Sequence, residues 1–199
     1  MVSLNEFLVM LDVRECGTLT DLTALRHLKY LVVLTASGTS VHNSGVEEIG
    51  ACLSLEKVSL AGCHAITSLK GLSKLRHLKE INVSRTEVTN EGLNGLSTCH
   101  ALQTVLVSEC KYLSDLNALA SLPFLSELHA EATPITSAGV KQLSMCTALE
   151  RVYFTKCSQL EDLLDLTSCW PQLEMLDTYG TAIPSRTVGQ PKQCACCVM

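Results

Sequence analysis

The chain has 199 residues, is 47% hydrophobic but only 4% aromatic, and carries a formal net charge of −5 from 15 Lys and Arg against 20 Asp and Glu. An acidic balance with no dense basic run gives little long-range attraction for phosphate backbones, so nucleic acid is not an expected partner. So much apolar residue with so few rings implies a core of stacked Leu, Val, Ile and Cys, and no segment is apolar for long enough to span a bilayer.

Residues Met1 to Phe7 place no basic region before the first apolar stretch, so no secretory leader is expected and the eleven cysteines are expected to stay reduced. The first Leu-x-x-apolar-x-apolar run starts at Leu8, and others start at Leu31, Leu55, Leu78, Leu102, Leu125, Leu149 and Leu173, at intervals of 23 or 24 residues. Pairs of runs make a 47-residue period, kept by Cys16, Cys63, Cys110 and Cys157, by Cys52, Cys99 and Cys146, by Thr39, Thr86 and Thr133, and by Gly45, Gly92 and Gly139. Eight runs in register from residue 8 to 183 resemble the leucine-rich repeat. The resemblance implies an α/β, right-handed solenoid with a parallel concave sheet of about eight short strands and short helices or 3-10 turns on the convex side. One domain over residues 1–183 is the expected organisation.

The two halves of the period differ in how the strand closes. One closes on cysteine, as Leu102 to Val107 does at Cys110, and the other on threonine, as Leu78 to Val83 does at Thr86. Both returns repeat apolar residues at every third position, which suits a 3-10 turn or a short helix with one buried edge, and Thr89 or Asn90 suits an N-cap. Because the two halves also differ in their return segments, thin and thicker returns should alternate. Cys16, Cys52, Cys63, Cys99, Cys110, Cys146, Cys157 and Cys169 read as small apolar rungs of the core, since no paired Cys-x-x-Cys spacing points to zinc or redox chemistry. Trp170, next to Pro171, reads as cover for the last coil.

In each strand the residues between the buried ones face the concave side. Those of the second to fifth coils are mostly small and polar, such as Thr35, Ser59, Asn82 and Ser108. The later coils gather Glu127, His129, Glu131, Arg151, Tyr153, Met175, Asp177 and Tyr179, and this is the expected protein-binding patch, because interfaces concentrate their energy in Tyr and Arg. Neither a catalytic site nor a cofactor or metal site is expected there. Side chains two apart on an open strand stand about 7 Å from one another, side by side and not converging on one atom.

The chain's last segment changes character. Pro184 to Gln193 is polar, with Pro and Gly, and reads as a flexible linker. Cys194-Ala195-Cys196-Cys197-Val198-Met199 resembles a C-terminal prenylation box, which implies a lipid on Cys196, farnesyl favoured by Met199, and a second, palmitoyl signal at Cys194. The expected function is a non-enzymatic interaction scaffold, peripheral on cytoplasmic membrane faces through this anchor, with a protein partner on the concave face. Two alternatives rest on resemblance. One is the substrate-recognition half of F-box ubiquitin-ligase adaptors, although no F-box-like region precedes Leu8; the other is the phosphatase-regulating leucine-rich-repeat proteins, whose returns are similar. The N-terminal coil has only Leu4 and Phe7 as cover, so a weak homodimer through that coil is a further expectation.

Overall fold

The computed structural model describes residues 7–163 and 166–183; the segment 184–199, with Cys194 and Cys196, and the N-terminal Leu4 lie outside the described residues. Eight strands form one parallel sheet in chain order: β1 Met10–Asp12, β2 Val33–Thr35, β3 Lys57–Ser59, β4 Glu80–Asn82, β5 Thr104–Leu106, β6 Glu127–His129, β7 Arg151–Tyr153 and β8 Met175–Asp177. Their middle residues pair across the sheet as one apolar row: Leu11, Leu34, Val58, Ile81, Val105, Leu128, Val152 and Leu176. The inner six are buried, whereas Leu11 and Leu176 are half-buried, because each end of the row has a neighbour on one side only.

The returns alternate as the two differing halves of the period predict. Short 3-10 helices at Thr23–His27, Lys70–Lys74, Asn117–Leu119 and Thr167–Cys169 take turns with longer ones. The longer returns are α1 Asn43–Ile49, α2 Asn90–Leu93 continued by a 3-10 turn at Asn94–Leu96, and an eight-residue 3-10 helix at Ala138–Met145. Of the two candidate caps, Thr89 is the one: its Oγ1 accepts from the Gly92 amide at 3.1 Å. Asn90 instead reaches the next coil, accepting from the Ser114 and Asp115 amides, and Asn43 does the same for Thr67 and Ser68.

Every coil leaves its strand through a residue in the left-handed region, at Glu15, Gly38, Gly62, Arg85, Glu109, Ala132, Lys156 and Gly180, with φ between 53° and 74°. Only three are glycine. The turn aims that residue's amide at the next coil, as in Glu15 to Ser37 O at 2.9 Å, Arg85 to Ser108 O at 2.8 Å and Lys156 to Tyr179 O at 2.7 Å. A side chain in this region costs about 1–2 kcal/mol, and the inter-coil hydrogen bond offsets it.

Cysteines supply the interior rungs. Cys63, Cys110 and Cys157 are fully buried, and each thiol donates to a carbonyl of the preceding coil, Ala36, Val83 and Ala130, at 3.2, 3.2 and 3.1 Å. Cys52, Cys99 and Cys146 do likewise to Leu25, Leu72 and Leu119 at 3.2, 3.4 and 3.3 Å. Cys16 does not join them. It is exposed, because among the described residues no coil precedes it to supply the carbonyl and the covering wall, and Cys169 is only half-buried.

Trp170 is more than a cover. It is 2% exposed, and its Nε1–H donates to Leu143 O at 2.8 Å, so the indole takes the place in the last coil that a thiol holds in earlier ones. Trp170→Phe, which keeps a ring but removes the donor, should lower stability by about 1 kcal/mol, because Leu143 O loses one of its two donors and keeps the Cys146 amide at 2.9 Å. A urea titration followed by circular dichroism measures this as a fall in midpoint.

Candidate functional site

The face of the sheet away from the core is lined by the first and third residues of each strand. Strand pairing sets Glu127 beside Arg151 and then Met175, and sets His129 beside Tyr153 and then Asp177. In β2 to β5 the same rows carry Val33, Thr35, Ser59, Asn82, Thr104 and Leu106 with a Lys57–Glu80 ion pair at 2.7 Å, and Ser59 bonds Ser37, two residues past β2, at 2.8 Å.

The side chains of β6 converge where the sequence reading expects them to stand apart. His129 lies between Glu127 of its own strand and Glu131, two residues past the strand's end, with Nε2 2.9 Å from Glu127 Oε1 and Nδ1 3.2 Å from Glu131 Oε1. Spacing along the backbone alone misjudges this, because an imidazole is long enough to present one nitrogen to each side. Arg151 Nη2 donates to the other Glu127 oxygen at 2.9 Å, and Ser108 Oγ donates to Glu131 Oε2. Tyr153 closes the cluster by stacking on the imidazole, with ring centroids 4.3 Å apart and an interplanar angle of 17°. The result is a bonded polar strip across β5, β6 and β7, with about a quarter of the His129 and Glu127 side chains accessible.

Of the eight residues read from the sequence, five form this strip: Glu127, His129, Glu131, Arg151 and Tyr153. Asp177 stays apart, accepting from the Tyr179 amide at 2.9 Å, and Met175 and Tyr179 stand exposed beside the strip. Ser108 is the member the sequence reading leaves in the small polar background. Its only sequence signal is its place in the row that leads to Glu131.

The arrangement positions groups and leaves little free to react. Both nitrogens of His129 are occupied, and both contacts carry a proton only when the ring holds two. Arg151, first, and His129, second, hold the Glu127 carboxyl below its ordinary value of 4.5. Arg151→Gln should therefore raise the Glu127 titration midpoint, read by carbon-detected NMR, while His129 alone keeps a smaller depression.

The chain resembles solved structures of other proteins. It is similar to internalin C2 of Listeria monocytogenes, with a TM-score of 0.75 and 25% identity over 86% of this chain and 71% of that one. An internalin designated inlF from the same bacterium gives 0.65 and 17%, over 88% of this chain and 56% of the other. A plant peptide hormone receptor, RGFR1 in complex with RGF2, gives 0.60 and 16%, over 91% and 34%. The chain thus spans about half of the second protein and a third of the third. No protein-family model matches the sequence, and a search of curated proteins gives no match. The fold is a leucine-rich-repeat solenoid, and the structures it resembles are leucine-rich-repeat proteins.

Proposed function

We propose that this chain is a non-enzymatic protein-interaction module that holds its partner on the open face of the sheet, across β5 to β8. The observation that carries the reading is the bonded strip of Ser108, Glu127, His129, Glu131, Arg151 and Tyr153, flanked by exposed Met175 and Tyr179. A prearranged set of charges beside exposed apolar tips loses little freedom on binding, and Tyr and Arg are the residues that dominate such interfaces. One of the similar structures, RGFR1, is itself a receptor in complex with RGF2. Affinity capture should recover a partner whose retention falls by roughly 30-fold when Tyr153 and Tyr179 are both changed to Ala, the scale of a hot-spot loss. Equal retention by the parent and the double variant would remove the site assignment, and the identity of the captured protein would separate ligase subunits or a phosphatase from other partners.

A second part of the proposal rests on the Cys196 to Met199 motif alone. A lipid on Cys196, reinforced by one on Cys194, would hold the module on cytoplasmic membrane faces, since one chain gives only marginal affinity and two give stable attachment. Fractionation of cells expressing the parent chain and Cys196→Ser tests this, with the variant expected to shift to the soluble fraction. Equal distribution of the two would end the membrane reading and leave the binding face untouched.

A further inference from the structure

The first and last coils among the described residues carry complementary closures. At three internal junctions a coil closing on threonine is followed by one closing on cysteine, with Thr39, Thr86 and Thr133 Oγ1 at 3.3, 3.6 and 3.4 Å from Cys63, Cys110 and Cys157 Sγ. At each of them the threonine hydroxyl and the thiol share one carbonyl: Ala36, Val83 or Ala130. The last coil ends on the receiving half, for Thr181 Oγ1 donates to Thr178 O at 2.8 Å just as those threonines do. The first coil begins with the giving half, the exposed Cys16.

The backbone repeats the match. Gly180, at φ 73°, holds the position from which Lys156 donates to Tyr179 O, and Arg14 holds the position of the accepting residues Ser37, Ser84 and Tyr179. Half-buried Leu176 and Leu11 are the two unfinished ends of the apolar row. Continuing the register would set Met175 against Met10, which are 49% and 61% exposed, and Asp177 against Asp12, whose charge Arg14 already meets at 2.7 Å.

We infer that the C-terminal coil of one copy docks on the N-terminal coil of a second copy of this chain, so that β8 and β1 pair in parallel and the Cys16 thiol seats on Thr178 O beside the Thr181 hydroxyl. Among the described residues the number of coils is even, and that is what makes the two closures complementary; one coil more or fewer would set like closures together. The contact is head-to-tail and leaves both outer ends open, so it builds dimers, trimers and longer rows as concentration rises.

The joint can be trapped. In the full chain carrying Thr181→Cys, with Cys194, Cys196 and Cys197 changed to Ser, the oxidant diamide takes one hydrogen from each of two thiols, is reduced to its hydrazine, and leaves a disulfide. The two ends of one chain lie roughly 30 Å apart across seven strand spacings, far beyond the reach of a disulfide, so any Cys16-to-181 bridge joins two copies. The expected result is a ladder of covalent oligomers whose bridged peptides pair Cys16 with position 181, lost when Cys16→Ser is added, together with a sedimentation mass of the unaltered protein that grows with concentration. A mass that stays monomeric into the high micromolar range with no ladder would overturn the inference, and so would bridges pairing Cys16 with Cys16, which mean face-to-face association.

Discussion

Gly92→Ala is expected to lower stability by about 3 kcal/mol or more, a fall in Tm of roughly 6–12 °C for a chain of this size. A Cβ at this position would stand 2.0 Å from Thr67 O, 2.9 Å from Ser68 Cα and 3.0 Å from Thr67 C, all backbone or Cα atoms of the preceding coil. Neither side can withdraw cheaply. The Gly92 carbonyl accepts from the Leu69 amide at 2.9 Å and the Gly92 amide is held by Thr89, so opening the gap breaks the bonds that join one return to the next. Gly139 stands alike, with a Cβ 2.1 Å from Ser114 O and its carbonyl on the Leu116 amide at 2.7 Å. Gly17→Ala is the control: nothing lies within 4 Å of its added carbon, so its melting curve should overlay the parent's. A Gly92→Ala protein that melts with the parent would show that the coils do not need this approach of backbone to backbone.

The second large effect is alkaline. Burial pushes the thiols of Cys52, Cys99 and Cys146 from 9.0 up to about 11. Each donates its proton to a carbonyl of the preceding coil, so losing it both charges the core and removes a hydrogen bond. The folded chain therefore holds these protons more tightly than the unfolded one. Their contribution is complete below pH 9 and drains away as the pH rises through 11, by about 2–3 kcal/mol per thiol at most. Urea midpoints should be flat near neutrality and fall steeply between pH 9 and 11. Changing the three cysteines to Ala should lower the neutral midpoint, through lost packing, yet flatten the alkaline slope. A slope unchanged by those replacements would place the titrating groups elsewhere.

Repetition made the architecture legible. Leu8, Leu31 and their successors mark each strand, and third-position leucines mark each return, so errors that would mislead in a single segment are averaged over eight copies. Features set by a neighbour's absence or by side-chain reach were hidden. Cys16 keeps the 47-residue interval of its buried counterparts, and it is exposed because, among the described residues, no coil precedes it. The left-handed exits at Glu15, Arg85, Glu109, Ala132 and Lys156 carry none of the glycine that would announce them, because an inter-coil hydrogen bond stabilises a conformation the residue itself disfavours. In the candidate site, strand alternation puts Glu127, His129, Arg151, Tyr153, Met175 and Asp177 on the sheet face away from the core. Their division into a bonded strip and a separate Asp177 depends on rotamers, and strand alternation does not determine those.

The indole of Trp170 offers a vantage on cooperativity. It is the single tryptophan and belongs to one terminal coil, so its emission reports on that end alone, whereas ellipticity averages over all eight strands. In a stack where each coil touches only its neighbours, the gap between the two denaturation curves measures how many coils melt as one unit. Coincident curves would mean the chain unzips all at once, and an earlier optical change would mean fraying from the C-terminal side.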